Sequence, residues 1–193
     1  MKRLLSLAIV WCVCAAGCFA ATAGVPASEK KGMSLVELSS IREFGKNELV
    51  KKTPLQTDKV AYLTYFLAPR QILPLHAHPG SDEIFYVVEG LGQFTVGSDQ
   101  KVVSAGTTVY GPADVTHAIV NSGRQDMVVI SVQAPTPVQM KYAENASVAC
   151  AVCGQEMVIP VTAKVGDILV CPRCQAKMKL SKSKTGTWVA THI

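Results

Sequence analysis

The chain has 193 residues, of which 49% are hydrophobic, and its formal net charge is +5. That length allows one or two domains, and the hydrophobic share is enough to form a core. After the N-terminal region, no segment is apolar and long enough to span a membrane. Most of the net positive charge lies after Cys150, where there are six Lys or Arg residues and two acids. We interpret this basic region as a solvated surface, so no nucleic-acid partner is expected.

The first 23 residues have the pattern of an export signal. Lys2 and Arg3 precede an apolar segment, residues 4–16, that is too short to span a membrane easily. Two cleavage patterns are present: an A-x-A site at 21–23, and a lipoprotein box at 15–18 in which Cys18 would carry the lipid. We therefore expect an exported protein, either periplasmic or lipid-anchored at the cell envelope. Its contact with the membrane would be limited to the lipid on Cys18.

Residues 33–52 have a weakly helical pattern that predicts a short helix or the approach to a first strand. The following segments are rich in aromatic and β-branched residues and are separated by Gly, Pro, Asn, Asp and Ser. Many short strands with regular turns are typical of a sandwich or a barrel. The predicted strands are 60–67, 83–88, 93–96, 107–110, 118–120 and 127–132.

Three of the four histidines lie in two short motifs within this β region. His76 and His78 are two residues apart, so on a strand both side chains point to the same face. A turn at 79–81 can bring Glu83 back to the same place, and a turn at 112–114 leads into the strand that bears His117. Three imidazoles and one carboxylate suit a divalent Mn, Fe, Ni, Cu or Zn ion and leave one or two positions open.

The two motifs resemble those of the cupin superfamily. The first has the spacing H-x-H-x4-E-x6-G and ends at Gly90, and the second has the spacing G-x5-P-x4-H-x3-N and ends at Asn121. Arg70 and Asp114 stand where the cupin motifs have glycines, and both are turn positions. The resemblance implies a cupin barrel (a double-stranded β-helix, or jelly roll) over 33–137, with His76, His78, Glu83 and His117 as metal ligands.

The resemblance leaves the function open, because cupins carry out many kinds of chemistry. One hypothesis is a dioxygenase or isomerase that acts on a small oxygen-rich substrate at the metal. The alternative is a non-catalytic cupin that binds or senses a small ligand, and a third is metal storage or delivery. The resemblance also suggests a homodimer. Polar groups that could assist the site, or simply pack in the barrel, are Arg70, Gln133, Tyr62, Tyr65, Tyr86 and Tyr110.

Four of the seven cysteines lie beyond the signal segment, as two CxxC pairs separated by 17 residues. This spacing is typical of a zinc site with four thiolate ligands, Cys150, Cys153, Cys171 and Cys174. Disulfides are an alternative in an oxidising compartment, and a rubredoxin-like iron centre is another. A c-type haem is excluded, because His follows neither pair. A site closed by four thiolates is expected to stabilise the fold or to support partner docking.

Residues 149–193, which follow a predicted linker at 138–148, resemble a zinc ribbon. The ribbon is similar to that of the amino-group carrier proteins of bacterial lysine biosynthesis. The carrier function is not expected here, since those proteins are acidic and end in Glu, whereas this chain is basic and ends in Ile193. Two hairpins are predicted, one pairing 157–161 with 167–170 and the other pairing 178–180 with 187–190. About 45 residues cannot form a sufficient core alone, so a metal or a crosslink is needed.

Overall fold

The computed structural model describes residues 32–144 and 146–193. In these ranges the regular structure is β-strand, apart from one helix of four residues, α1 (Leu38–Ile41). The prediction of an all-β protein is therefore confirmed. No helix in the described ranges is long and apolar enough to cross a membrane. The predicted export signal, including Cys18, lies outside the described residues.

Ten strands form the first module and are arranged in two five-stranded sheets. The first sheet has the order β1-β2-β9-β4-β7 and the second has the order β10-β3-β8-β5-β6, with antiparallel neighbours in both. Each of the six predicted strands coincides with an observed one. The strands are β1 (Val50–Gln56), β2 (Ala61–Leu67), β3 (Ile72–Ala77), β4 (Asp82–Glu89), β5 (Leu91–Val96), β6 (Asp99–Ser104), β7 (Thr108–Gly111), β8 (His117–Val120), β9 (Met127–Ala134) and β10 (Lys141–Tyr142).

The core of this module lies between the two sheets, as expected for a cupin barrel. Its side chains come from β2, β4 and β9 on one side and from β3, β5 and β8 on the other. Fully burying one such side chain stabilises the fold by about 1.5–3 kcal/mol. Among the core residues are Tyr65, Phe85 and Val129 of the first sheet and Leu73, Phe94 and Ile119 of the second.

Strand β4 shows how the alternation of the sequence directs one acid into the barrel. Glu83, Phe85 and Val87 are fully buried, whereas Ile84 and Tyr86 between them are about half exposed. Because successive side chains on a strand point to opposite faces, the apolar Phe85 and Val87 fix the side to which Glu83 points. The carboxylate is therefore carried inward by the same pattern that builds the core.

Both positions where cupin glycines are replaced have left-handed backbone geometry. The φ angle is 77° at Arg70 and 64° at Asp114, so the loops keep the conformation that glycine adopts most easily. Asp tolerates this region better than most residues, whereas for Arg70 it costs about 1–2 kcal/mol. Hydrogen bonds anchor both turns to distant segments, from Arg70 N to Asn121 O (3.0 Å) and from Asp114 N to His78 O (3.1 Å).

The second module contains five short strands in a two-stranded and a three-stranded sheet. Its apolar residues form two small clusters, one around Cys150, Met157, Cys171 and Met178 and the other around Ile159, Leu169 and Leu180. Cys150 and Cys171 thus lie in the core of the module, whereas Cys153 is partly buried and Cys174 is exposed. The strands are β11 (Ser147–Ala149), β12 (Glu156–Val158), β13 (Ile168–Val170), β14 (Lys177–Lys182) and β15 (Trp188–His192).

One of the two predicted hairpins in this module is confirmed and the other is wrong. Strands β14 and β15 pair with Leu180 opposite Ala190, and Gly186 lies in their turn with φ 82°. The segments 157–161 and 167–170 do not pair, because β12 pairs with β11 and β13 pairs with β14. The error arose because three-residue strands have no periodicity of their own, so their partners are set by the cysteine turns. Strand β10 and the start of β11 lie within the predicted linker 138–148.

Candidate metal centres

The four predicted ligands of the barrel site converge in its interior. His76 lies on β3, His78 directly follows that strand, Glu83 lies on β4 and His117 begins β8. At most 1% of each side chain is exposed. One nitrogen of each imidazole and one carboxylate oxygen all lie within 4.8 Å of one another. The structure therefore brings together two strands of one sheet and one strand of the other at a single point.

Backbone carbonyls fix the orientation of all three imidazoles. The Nδ1 atom lies 2.7 Å from Pro74 O in His76, 2.7 Å from Gln139 O in His78 and 3.1 Å from Val115 O in His117. A carbonyl oxygen can only accept, so each Nδ1 must carry the proton and donate it. In the neutral ring the Nε2 atom then presents a lone pair, and in His78 and His117 this atom lies beside Glu83. Metal-ligating histidines are commonly held in this way.

The distances between the carboxylate and the imidazoles match what a bound cation requires. Glu83 Oε2 lies 3.0 Å from His78 Nε2 and 3.1 Å from His117 Nε2. The buried Nε2 of His76 has no hydrogen-bond partner among the described residues. Lone pairs facing an ionised carboxylate repel one another unless a proton or a metal ion lies between them. The chemistry of these four donors therefore fits a divalent metal.

Near neutral pH the electrostatics of the site favour the binding forms of His76 and Glu83, whereas in the metal-free site they favour a proton on His78 that a bound ion would displace. Burial, together with the neighbouring His117, lowers the pKa of His76 to about 4, so this ring is neutral. Burial alone would raise the pKa of Glu83, but hydrogen bonds from His117 and His78 hold it well below its usual range. Burial alone would lower the pKa of His78, but hydrogen bonds with Glu83 and Gln139 outweigh it and raise that pKa.

Two of the predicted accessory residues lie next to the ligands. The Tyr65 hydroxyl donates to Glu83 Oε1 over 3.3 Å, and the Gln133 amide nitrogen lies 2.9 Å from His78 Nε2. Both side chains are at least 97% buried. Tyr86 and Tyr110 are 42% and 54% exposed on the outer face of the first sheet, so they do not reach the site. Tyr62 is likewise not among the side chains in contact with a ligand, and Arg70 lies beside the second module instead.

Several residues around the site have no signal in the sequence. Gln139 O, which holds His78, and Tyr142, whose ring centroid lies 5.8 Å from that of His76, both come from the predicted linker. Gly111 leaves room for His117, because a Cβ there would lie 3.2 Å from His117 Nδ1. Lys51 lies on β1, which the sequence predicted only as an uncertain lead-in. These residues reach the site through strand pairing, so local pattern could not identify them.

A cavity of about 190 Å³ opens beside the ligands. His78 and Gln133 form its inner wall, and Lys51 and Thr53 of β1 lie on its rim together with the apolar Met140. No carboxylate lines it, and Lys51 takes part in none of the ion pairs of the described residues. The space beside the metal ligands is therefore small, partly apolar and bordered by one positive charge.

The four cysteines of the second module also converge. The Sγ atoms of Cys150 and Cys174, and those of Cys153 and Cys171, are 3.7 Å apart, and all four lie within 4.8 Å of one another. Four thiolates at about 2.3 Å from one zinc ion would be about 3.8 Å apart, whereas a disulfide requires about 2.05 Å. The spacing therefore matches a tetrahedral metal site.

The two CxxC turns have the same backbone geometry. Gly154 N donates to Cys150 O over 2.8 Å, and Gln175 N donates to Cys171 O over 3.0 Å. Gly154 and Gln175 both have left-handed φ angles, 68° and 61°. Burial raises the pKa of Cys171 to about 12. Burial also opposes ionisation of Cys150, but hydrogen bonds from the backbone amides of the first turn outweigh it and lower the pKa of that thiol to about 7. A bound cation would be needed to hold all four thiolates together.

Comparison with known proteins supports the assignment of the barrel. Residues 64–133 match the family model for the cupin domain. A germin-like protein from Morus alba is 35% identical over 77 residues, which is 37% of each chain. An uncharacterized protein from Methanocaldococcus jannaschii is 34% identical over 61 residues, 32% of this chain and 49% of that protein. The matches thus span less than half the length of these two curated relatives.

Solved structures show the same fold. A protein from Thermus thermophilus superimposes with a TM-score of 0.52 and 26% identity, over 53% of this chain and 98% of the other. A Klebsiella pneumoniae protein with a double-stranded β-helix domain superimposes with a TM-score of 0.55 and 20% identity, over 58% of this chain and 99% of the other. The fold and the four converging side chains define a β-barrel with a candidate metal site, and residues 64–133 of this barrel match the cupin domain model. The family match ends before the cysteines, so the zinc ribbon remains a prediction that rests on their spacing and geometry.

Proposed function

We propose that this protein is an exported cupin enzyme, a dioxygenase or isomerase that acts on a small oxygen-rich substrate at a divalent metal. The orientation of the three imidazoles carries the proposal. Each Nδ1 atom is held by a backbone carbonyl, and the ligand atoms of the four side chains lie within 4.8 Å of one another, so the donor set is organised before an ion arrives. A bound divalent ion would supply Lewis acidity or activate oxygen.

The residues around the ligands have definable roles in such a reaction. Tyr65 holds one oxygen of Glu83 and leaves the other to face the imidazoles. Gln133 lines the 190 Å³ cavity together with His78, and its amide can orient a substrate oxygen there. The closed barrel excludes bulk water from the ligands, which are at most 1% exposed. A substrate of a few heavy atoms that enters beside Lys51 would fit the available space.

Oxygen uptake, conversion of the substrate to an isomer, and metal content of the full chain test this proposal. The protein would be loaded in turn with Mn, Fe, Ni, Cu and Zn and supplied with small hydroxy acids, diols and ketones. We expect His117→Ala to lose both the barrel metal and the substrate-dependent turnover. His192→Ala alters an exposed histidine near the C-terminus and is the matched control, which should retain both. Ligand binding without turnover for any of the metals would contradict the enzyme proposal.

The alternative function is a non-catalytic cupin that binds a small ligand and docks a partner through its ribbon. The surface of the second module favours it, since Val161, Val165, Ile168 and Val170 are 46–64% exposed. Apolar side chains grouped on a small module are typical of interaction sites. Replacing Ile168 and Val170 by Ser should then abolish partner binding at the cell envelope while leaving ligand affinity unchanged.

We also propose that the cysteines bind zinc and that the barrel forms a homodimer. The Sγ spacing of 3.7 Å supports zinc binding.

An exposed apolar row on the first sheet supports the homodimer. Its residues are paired side by side across three strands and are 41–54% exposed: Val132, Ile84 and Tyr110. Sedimentation of the full chain and of an Ile84→Glu variant tests the dimer, which the added charges should dissociate.

A further inference from the structure

The two modules meet along β12, which lies between the cysteine cluster and the barrel. Met157 and Val158 are neighbours on this strand, so their side chains point to opposite faces. Met157 packs with Cys150 and Cys171, whereas Val158 packs with barrel residues. Both side chains are 1% exposed. The strand is therefore a layer shared by both modules.

The barrel residues beneath Val158 are direct neighbours of metal ligands. Val158 packs with Leu75, which precedes His76 on β3, and with Ala118, which follows His117 on β8. Strands β3 and β8 are paired, with His76 opposite His117. Val158 thus packs against residues that are the direct sequence neighbours of two of the four ligands. Any displacement of β12 would remove the support on the outer side of both histidines.

Polar contacts fix the second module in this position. Gln100 of β6 donates a hydrogen bond to Val158 O over 3.0 Å. Arg173, inside the second CxxC turn, donates to Gly123 O over 2.9 Å. Gln155, which follows the first CxxC turn, donates to Arg70 O over 3.5 Å. Each cysteine turn therefore has its own contact with the barrel, near the loops that lead into β3 and out of β8.

We propose that the cysteine cluster positions the histidine site. When an ion holds the four thiolates, β12 is fixed against β3 and β8, and His76 and His117 stay at ligand spacing. A module of about 45 residues cannot order itself without its metal, so loss of that ion frees β12. Residues that hold metal ligands in place typically contribute about 10–100-fold to metal affinity. The proposal rests on the proposed function only in that both clusters bind metal.

Binding of Mn²⁺ to the full chain tests this inference, since thiolates bind Mn²⁺ poorly and the probe reports the barrel site. We expect Val158→Ala to weaken Mn²⁺ binding roughly tenfold, and the double variant Cys171→Ser, Cys174→Ser to weaken it by about 10–100-fold. The electron paramagnetic resonance spectrum of bound Mn²⁺ should change in both. Val189→Ala, which removes the same methyl groups from a 41% exposed site in the same module, should leave affinity and spectrum unchanged.

The measurements are made well below each variant's melting temperature, with near-UV circular dichroism to confirm that the barrel is folded. If the variants melt earlier but bind Mn²⁺ as tightly as the parent, with an identical spectrum, the cluster only stabilises its own module and the inference is wrong. A parent protein that binds no divalent ion at the histidines would overturn the proposed metal function together with the inference. The two failures are distinguishable because the second appears in the parent itself.

Discussion

Met157 and Val158 are adjacent on one three-residue strand, and they face two different candidate metal centres. Met157 is packed against the cysteine cluster and Val158 against the strands that carry His76 and His117. The second module is therefore not a separate appendage of the barrel. Its core and the outer surface of the histidine sheet share one strand.

The first prediction concerns the metal of the second module, which Trp188 can report. Trp188 is the only tryptophan in the described residues and lies on β15 beneath Lys182, whose Nζ is 3.7 Å from the ring centroid. Cys171→Ser should remove one bound zinc and disorder the module, because its core is built around the cysteines. Tryptophan fluorescence and zinc content are measured together. His117→Ala is the control and should change the barrel metal with little effect on the fluorescence. Unchanged zinc content in Cys171→Ser would contradict the ribbon interpretation.

The second prediction concerns the charge of Glu83. Glu83→Gln keeps the shape of the side chain but removes the charge that faces the imidazoles, so affinity for a divalent ion should fall by more than about 100-fold. Competition against a chelator of known affinity measures it. Glu89→Gln is the matched control on the same strand, where the carboxylate binds Arg42 at the surface. Equal losses in both variants would exclude a specific role for Glu83.

The third prediction concerns the hydroxyl of Tyr65. Tyr65→Phe removes the donor to Glu83 Oε1 and leaves the ring in the core. We expect metal affinity to decrease by about tenfold, because the freed carboxylate loses its fixed orientation. The stability of the metal-free protein should fall by about 1 kcal/mol. Tyr62→Phe on the same strand alters neither the ligands nor their partners and should have no effect on affinity.

The fourth prediction concerns the pH dependence of the metal-free protein. The pKa of His76 is lowered to about 4 in the folded state, so the unfolded chain binds the proton first as pH falls. The stability contributed by the neutral ring is complete above about pH 6.5 and is lost progressively between there and about pH 4. The raised pKa of His78 acts in the opposite direction but at higher pH, because its contribution is complete below about pH 6.5 and is lost as pH rises through the folded-state pKa. Urea unfolding between pH 7 and pH 4 should show the loss, and His76→Gln should flatten it. If the stability of His76→Gln depends on pH in the same way as that of the parent, other groups cause the loss.

The fifth prediction compares two glycines with left-handed geometry. A methyl group at Gly186 (φ 82°) meets no atom within 4 Å, so Gly186→Ala should cost only the backbone strain of about 1–2 kcal/mol. A methyl group at Gly154 (φ 68°) would lie 2.8 Å from Arg70 Nη2. Gly154→Ala should therefore carry the same backbone strain and in addition displace the Arg70 side chain, which weakens the contact between the modules. Its loss of stability should exceed that of Gly186→Ala. Thermal melting monitors both variants, and equal losses would indicate that the Arg70 contact contributes nothing.

The sequence predicted the barrel well where its pattern is local. The alternation on β4 identifies a strand with one face in the core, because such a strand alternates between apolar and polar residues. The continuous apolar and aromatic run of β2 identifies a strand that is buried on both faces. Prediction failed where strands are short or lack such a pattern. Strand β12 was assigned to the wrong partner, because three residues carry no register information and the cysteine turns decide what they meet.

The sequence by itself predicted the candidate ligands of both centres, since imidazole, carboxylate and thiolate groups at these spacings are typical of metal sites. Only the tertiary structure decided what surrounds them. Gln139, Tyr142 and Lys51 approach the histidines from segments far along the chain, and Val158 supports them from another module. Such contacts depend on how sheets pair and pack, and pairing across long sequence separations leaves no periodic trace in the residues themselves. The relation between the two centres is therefore a property of the fold.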